Sequence, residues 1–260
     1  MSLNARLEDA GVWLRRATGR WRVVQLRAGV GSGLKFCRGA SHAQFAAGTN
    51  ELPVQQAVAE LLKPGQVFYD VGANVGFFSV IAARLTGPQG HVVAFEPVAT
   101  NCALVRYNCR LNSLRNVELI EDAVGDVAGT GNLLLARYSG GAALDVASAP
   151  PDFAGKVSVR VVTLDDLVSQ QRIAAPDVVK IDVEGAEIHV LRGMRRVLTE
   201  RRPVVIFEVD AADKAGVDAK WNECVGFLQR LGYGIRELAD SYADIKWCVR
   251  HGVAVFKSGG

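Results

Sequence analysis

Three carboxylates, Asp182, Glu184 and Glu208, fall where two apolar runs end, at 178–181 and 203–209. In an open α/β sheet the carboxyl ends of the strands face one crevice, and these acids would share it with a glycine turn at 72–76. If residues 180–184 stay extended, Asp182 and Glu184 point to the same side. Clustered carboxylates repel one another, so the cluster needs a reason. One reason is a general base that takes a proton from an acceptor hydroxyl. Another is an oxygen-donor site for Mg²⁺ or a similar cation, held by Asp182 and Glu208, which would lower the hydroxyl's pKa. The base is the favoured reading, because no histidine or further carboxylate is firmly placed to complete a cation's shell. A purely structural role also exists, since Glu184 and Glu187 favour the positive N-terminus of the next helix; it suits Glu187 best and Asp182 least.

The turn these acids face is V-F-Y-D-V-G-A-N-V-G over 67–76. An apolar run ends in Asp70, glycines 72 and 76 bracket Asn74, and residues 77–85 read as a helix. Glycines there allow a sharp turn and close backbone approach. Glu96 ends the next apolar run, 91–95, about twenty residues after the turn, where a carboxylate accepts from both hydroxyls of a ribose. Asp70 pointing into the turn would repel a pyrophosphate and attract an ammonium and a sulfonium. That charge argument favours S-adenosylmethionine over NAD.

Around these residues the chain alternates strands and helices. Helices are expected at 51–62, 101–111, 187–198 and 217–231, and strands at 117–120, 178–181, 203–209, 233–237 and 253–256. Short strands at 21–26 and 34–37 flank a glycine-rich loop, and a basic N-terminal helix is expected at 3–18. Residues 129–160 break the alternation and read as an inserted antiparallel hairpin with a mobile tip at 139–151. Thr163 is an expected N-cap, with Asp166 three residues on. The pattern implies a mostly parallel sheet with right-handed crossovers. The organisation expected is an extension over 1–50 and one α/β domain over 51–260.

D-V-G-A-N-V-G-F-F-S, A-F-E-P, E-D-A-V-G-D, T-L-D-D-L and K-I-D-V-E-G-A-E follow in that order. Together they resemble the FkbM-type family of S-adenosylmethionine-dependent methyltransferases. The match runs over about 51–210, and K-I-D-V-E-G-A-E is its most specific part; after Glu96-Pro97 the chain has Val98-Ala99 where the family commonly has Asn-Pro. The resemblance implies a Rossmann-like fold of seven strands with the last antiparallel. It implies a cofactor-binding set of Glu51, Asp70, Gly72, Ala73, Asn74, Gly76, Phe77, Glu96, Pro97, Asp122, Ala123 and Asp182, with Asp122 accepting from the adenine amine. The acceptor would be a hydroxyl of a sugar or natural-product scaffold. The catalytic candidates remain Asp182, Glu184 and Glu208.

The whole chain fits that expectation. It has 260 residues, 49% of them apolar and 22% charged, which suits one soluble α/β domain. A net charge of +3 is too small to argue for nucleic acid. Five scattered cysteines without C-x-x-C read as reduced thiols. No apolar run reaches the ~18 residues a membrane helix needs, and Arg15 and Arg16 interrupt any leader-like stretch, so a cytoplasmic location is expected. Of the histidines, His42 lies in the N-terminal extension and could overhang the site. His91 opens a strand, His189 shares a helix face with Arg192 and Arg196, and His251 reads as part of a late loop. No N-P-P-Y, G-x-S-x-G or H-E-x-x-H is present. An NAD-dependent oxidoreductase and a catalytically silent binding module on the same fold stay open as alternatives. Oligomeric state is not legible.

Overall fold

The structure is a computed structural model, described over residues 22–136, 142–144, 153–242 and 248–257. Two short strands, β1 (Val23–Gln25) and β2 (Lys35–Cys37), pair antiparallel and lead into helices α1 (Ala43–Ala47) and α2 (Leu52–Leu61). Then come β3 (Val67–Val71), α3 (Phe77–Thr86), β4 (His91–Phe95), α4 (Ala99–Leu111) and β5 (Val117–Ile120). An inserted stretch holds β6 (Ala123–Val124), β7 (Gly129–Ala136), β8 (Ala142–Leu144) and β9 (Phe153–Val162). The core resumes with α5 (Leu164–Ser169), β10 (Val178–Ile181), α6 (Glu187–Gly193), α7 (Arg195–Glu200), β11 (Val204–Ala211), α8 (Lys214–Arg230), β12 (Tyr233–Glu237) and β13 (Cys248–Phe256).

Seven strands form the central sheet in the order β12-β13-β11-β10-β3-β4-β5. All neighbours from β11 to β5 are parallel, and β13 runs antiparallel between β11 and β12. This is the mostly parallel, Rossmann-like sheet that the sequence implied. Alternation along the strands sorts the core into two layers: Phe68, Val92 and Val178 pack on one face, and Tyr69, Val93 and Val179 on the other. Because helices cover both faces, strands such as β10 are buried at every position.

The described part of the first fifty residues shares this core. Phe36 and Phe45 meet Phe77 edge-on at 5.5 and 5.3 Å. Buried Asn108 accepts from the Cys37 N–H at 2.8 Å and donates to the carbonyls of Cys37 (3.0 Å) and Val75 (2.8 Å). One side chain thus ties β2 to the loop before α3. The expected helix at 3–18 lies outside the described residues.

Two expectations change. Residues 187–198 are not one helix: α6 ends at Gly193 and α7 begins after Met194. A Cβ on Gly193 would stand 1.9 Å from the Gly125 carbonyl, so α6 passes hard against that loop. The Asp165 carboxylate then accepts from the N–H groups of Arg196 and Val197, both at 2.9 Å, and caps α7. The insertion is larger than a hairpin: β7 and β9 pair antiparallel, but β6 and β8 extend them to four strands in the order β6-β9-β7-β8. Most of its expected mobile tip, 139–151, lies outside the described residues. All five cysteines are free thiols. Among the described residues no helix is long and apolar enough to cross a membrane.

Candidate functional site

Strand register assembles the site. Val71 stands beside Ile181, and Ile181 beside Phe207, so one step on Gly72, Asp182 and Glu208 lie level. Glu208 pairs in turn with His251 of β13. Gly72, Asp182, Glu208 and His251 therefore form one row across the carboxyl end of the parallel strands, the edge where open α/β sheets take ligands.

On the β3–β4 side the row borders a cleft with about 570 Å³ of empty space, partly open to solvent. Gly72, Asn74, Glu96, Pro97, Asp122, Ala123, Asp182 and Glu184 line it. Glu96 does more than face the cleft. One of its oxygens accepts from the Asn74 N–H (2.7 Å) and the other from the Val98 N–H (2.8 Å), so it fastens the turn after β3 to the loop after β4. Burial raises its pKa from 4.5 to about 7. Asp70 is buried, accepts from the Ser79 hydroxyl at 2.5 Å with one oxygen and leaves the other without a partner. The Asn74 side-chain oxygen is likewise buried and unpartnered. Asp122 is gripped by the Arg160 guanidinium of β9, through Nε at 2.9 Å and a second nitrogen. Ala73 donates its N–H to the Phe95 carbonyl at 2.9 Å, and Gly76, with φ +81°, N-caps α3. Phe77 turns into the core and is absent from the cleft wall.

Gly72 has a different reason from the one expected. A Cβ there would lie 1.7 Å from the Asp182 carbonyl, so the residue is needed first for the crossing of two backbone loops and only then for a ligand's approach.

On the β11–β13 side lies a buried charged cluster. Lys180, to which sequence reading assigned no role, extends its ammonium 2.9 Å from Asp182 and 4.7 Å from the Phe78 ring centre. The neighbouring charges of Asp182, Glu51 and Asp70 raise its pKa against the opposing effect of burial. Glu51 stands here, outside the cleft lining. One of its oxygens accepts from Asn50 (2.6 Å) and the Tyr242 hydroxyl (3.1 Å), while the other is buried and unpartnered. Burial raises its pKa to about 7. His251, expected in a loop, is a buried strand residue whose Nε2 lies 2.6 Å from Glu208 and 3.9 Å from the free Glu51 oxygen. Burial lowers its pKa to about 4 and raises that of Glu208 well above 4.5, because it penalises the charged form of each.

The extended geometry expected for 180–184 does not occur. β10 ends at Ile181, and Glu184 (φ +57°) and Gly185 (φ +100°) turn the chain, so Glu184 is exposed at the rim and Lys180 becomes Asp182's partner. Glu187 accepts from the Gly185 N–H at 2.8 Å and staples that turn, the structural role that suited it best. His42 is an exposed N-cap of α1; His91 pairs with Glu118 and His189 with Asp126. The sequence missed His251, Tyr242 and Lys180. The K-I-D spacing was a usable signal for Lys180, since residues two apart on a strand share a face.

In comparisons with known proteins, residues 70–235 match the family described as Methyltransferase FkbM domain. The 31-O-demethyl-FK506 methyltransferase FkbM of Streptomyces tacrolimicus is 31% identical over 225 residues, covering 76% of this chain and 84% of that protein. The hexuronic acid methyltransferase AglP of Haloferax volcanii is 26% identical over 173 residues, covering 65% of each. Among solved structures, a methyltransferase FkbM from Methylobacillus flagellatus KT superposes with a TM-score of 0.52 at 16% identity, over 78% of this chain and 50% of that one. At that identity the likeness speaks for the fold alone.

Proposed function

This chain belongs to the FkbM methyltransferase family, and from that premise we propose that it moves the methyl group of S-adenosylmethionine to a hydroxyl of a small molecule. The observation that carries the reading is the row Gly72–Asp182–Glu208–His251, which sets an acid at the junction of the cleft and the buried cluster. The acceptor class supported by the relatives' names is a sugar or natural-product hydroxyl. In this reading 51–260 is the catalytic domain, and specificity sits in the 1–50 extension and the inserted sheet. The reading expects a cytoplasmic protein without nucleic-acid partners.

The cleft residues suit the cofactor. The unpartnered buried oxygen of Asn74 on the cleft wall is an acceptor awaiting a donor, and an acid-rich wall favours a ligand bearing an ammonium and a sulfonium; Asp70, expected to point into the turn, is buried and is not part of that wall. When bound, S-adenosylmethionine supplies an electrophilic methyl group. Glu96 Oε1 accepts from the Val98 N–H and the Asn101 amide, and its Oε2 from the Asn74 N–H alone, which leaves Oε2 acceptor capacity for a ribose hydroxyl. Asp122, held by Arg160, keeps acceptor capacity toward an adenine amine. Asp182 is the base: Lys180, 2.9 Å away, orients its carboxylate. Asp182 would take the proton of the acceptor hydroxyl as that oxygen attacks the methyl donor held in the cleft. Alignment of that oxygen is the enzyme's main contribution.

The test is transfer of isotopically labelled methyl from S-adenosylmethionine to a panel of hydroxylated acceptors, followed by Asp182→Asn. Turnover falls about 10²–10⁴-fold in the variant, the usual scale of general-base catalysis, with cofactor affinity little changed. Full turnover in Asp182→Asn at saturating cofactor removes the base assignment, and labelled NAD turnover in place of methyl transfer removes the reading.

A further inference from the structure

Glu51, Glu208 and His251 come from an N-cap, a parallel strand and an antiparallel strand, yet one donor atom from each lies within 4.8 Å of the other two. We infer that these three side chains form a divalent-metal site beside the methyl-transfer cleft, selective for a first-row transition metal such as Mn²⁺, Fe²⁺, Co²⁺ or Zn²⁺ over Mg²⁺ or Ca²⁺. The proposal rests on the methyl-transfer reading only for what the metal does, not for whether it binds.

One observation points to a ligand independently of the clustering. Glu51 is 5% exposed, and its Oε2 has no hydrogen-bond partner although its Oε1 is fixed by Asn50 and Tyr242. A buried carboxylate oxygen left bare, 3.9 Å from the His251 Nε2, forgoes a strong interaction that a cation would supply.

The geometry needs little adjustment. Metal–donor distances of about 2.0–2.2 Å place donor atoms about 3–4 Å apart around an ion. Here Nε2 lies 2.6 Å from the Glu208 oxygen and 3.9 Å from that of Glu51. The ion would replace the proton between Glu208 and His251. The other ring nitrogen of His251 already faces the Ser241 hydroxyl at 3.4 Å, an orienting contact of the kind metal-bound imidazoles keep. An imidazole among two carboxylates favours transition metals, because Mg²⁺ and Ca²⁺ prefer all-oxygen shells. With three protein ligands, positions stay open for water or for the acceptor hydroxyl. That hydroxyl would be acidified before Asp182 takes its proton.

Co²⁺ titration of the chelator-stripped, full-length chain tests this without any acceptor or cofactor. One Co²⁺ per chain is expected, with visible ligand-field absorption and one paramagnetically shifted, exchangeable imidazole N–H resonance. Zn²⁺ displaces it, and Mn²⁺ does so in excess; Mg²⁺ at that same excess does not. Glu208→Gln, Glu51→Gln and His251→Gln each weaken uptake at least tenfold, while Asp126→Asn, which alters the surface pair with His189, leaves it unchanged. If a variant fails to fold, the shifted imidazole resonance in the parent decides alone. No stoichiometric uptake by the folded parent, equal competition by Mg²⁺, no imidazole signal, or unchanged uptake in folded variants overturns the site. Uptake without methyl transfer leaves the site standing and removes only the reading of its use.

Discussion

Gly72 and Gly65 share a φ of +82°, but a Cβ on Gly72 would meet the Asp182 carbonyl at 1.7 Å, whereas one on Gly65 meets nothing within 4 Å. Substituting each by alanine separates backbone strain from collision. Both variants bear the left-handed conformation, which costs about 1–2 kcal/mol for a residue with a Cβ. Gly65→Ala stops there. In Gly72→Ala the two loops must part by well over 1 Å. That strains the bonds from the Asp182 N–H to Val71 (3.0 Å) and from the Gly72 N–H to Phe95 (3.1 Å). Losing two such bonds costs about 1–3 kcal/mol in all, with overpacking strain of about 1–3 kcal/mol more. The expected difference between the variants is therefore about 2–6 kcal/mol in urea unfolding. Gly72→Ala should also lose cofactor affinity, because Asp182 and the cleft wall move together. Equal destabilisation of both variants would refute the crossing argument and return Gly72 to a purely ligand-facing role.

Glu96→Gln keeps the shape of the residue that joins the two cleft loops; S-adenosylmethionine affinity should drop by about 1.5–3 kcal/mol in calorimetry, the range for hydrogen bonds to a charged group, and unchanged affinity would remove Glu96 from the ribose. The same variant tests a pH effect. With its pKa raised to about 7 in the fold, Glu96 binds more protons folded than unfolded between pH 4.5 and 7. Its stabilisation is therefore full below pH 4.5 and lost as pH rises to about 7, amounting to roughly 3 kcal/mol. Glu96→Gln should flatten the parent's fall in stability over that window, and an unchanged slope would contradict the burial argument. Lys180→Met removes the ammonium shared by Asp182, Glu51 and Asp70, and should cost about 3–5 kcal/mol. The loss should be larger at pH 8 than at pH 6, where Glu51, its pKa raised to about 7, can take up a proton; a pH-independent loss would show that packing on Phe78 is all Lys180 provides.

Most of the sheet and half of the site were legible in the sequence because they are local. The bounds of β4, β5, β10 and β12 follow from apolar runs closed by glycines, prolines and polar turns, and Asp70, Gly72 and Glu96 sit at fixed offsets from those runs. The Thr163 cap was equally visible, since its hydroxyl reaches only three residues on, to the Asp166 N–H at 3.1 Å. What stayed hidden depends on contacts between distant segments. Gly193 gave no sign that Gly125 would press against it and end α6. His251 looked like a loop residue because V-R-H-G alternates too poorly to announce a strand; only the antiparallel register of β13 against β11 brings it to Glu208. A slip of one residue would have turned it to the other face. Glu51, read as the first residue of the helix at 51–62 and by resemblance as a cofactor-binding residue, instead precedes that helix, and a left-handed φ of +47° and the fold of the chain carry it to residues 208 and 251. Sequence determined that Glu96, Asp122 and Asp182 follow strand ends, although β11 runs past Glu208 to Ala211; tertiary structure decided which acids share a lysine or an ion, because charge coupling follows distance in space and not along the chain.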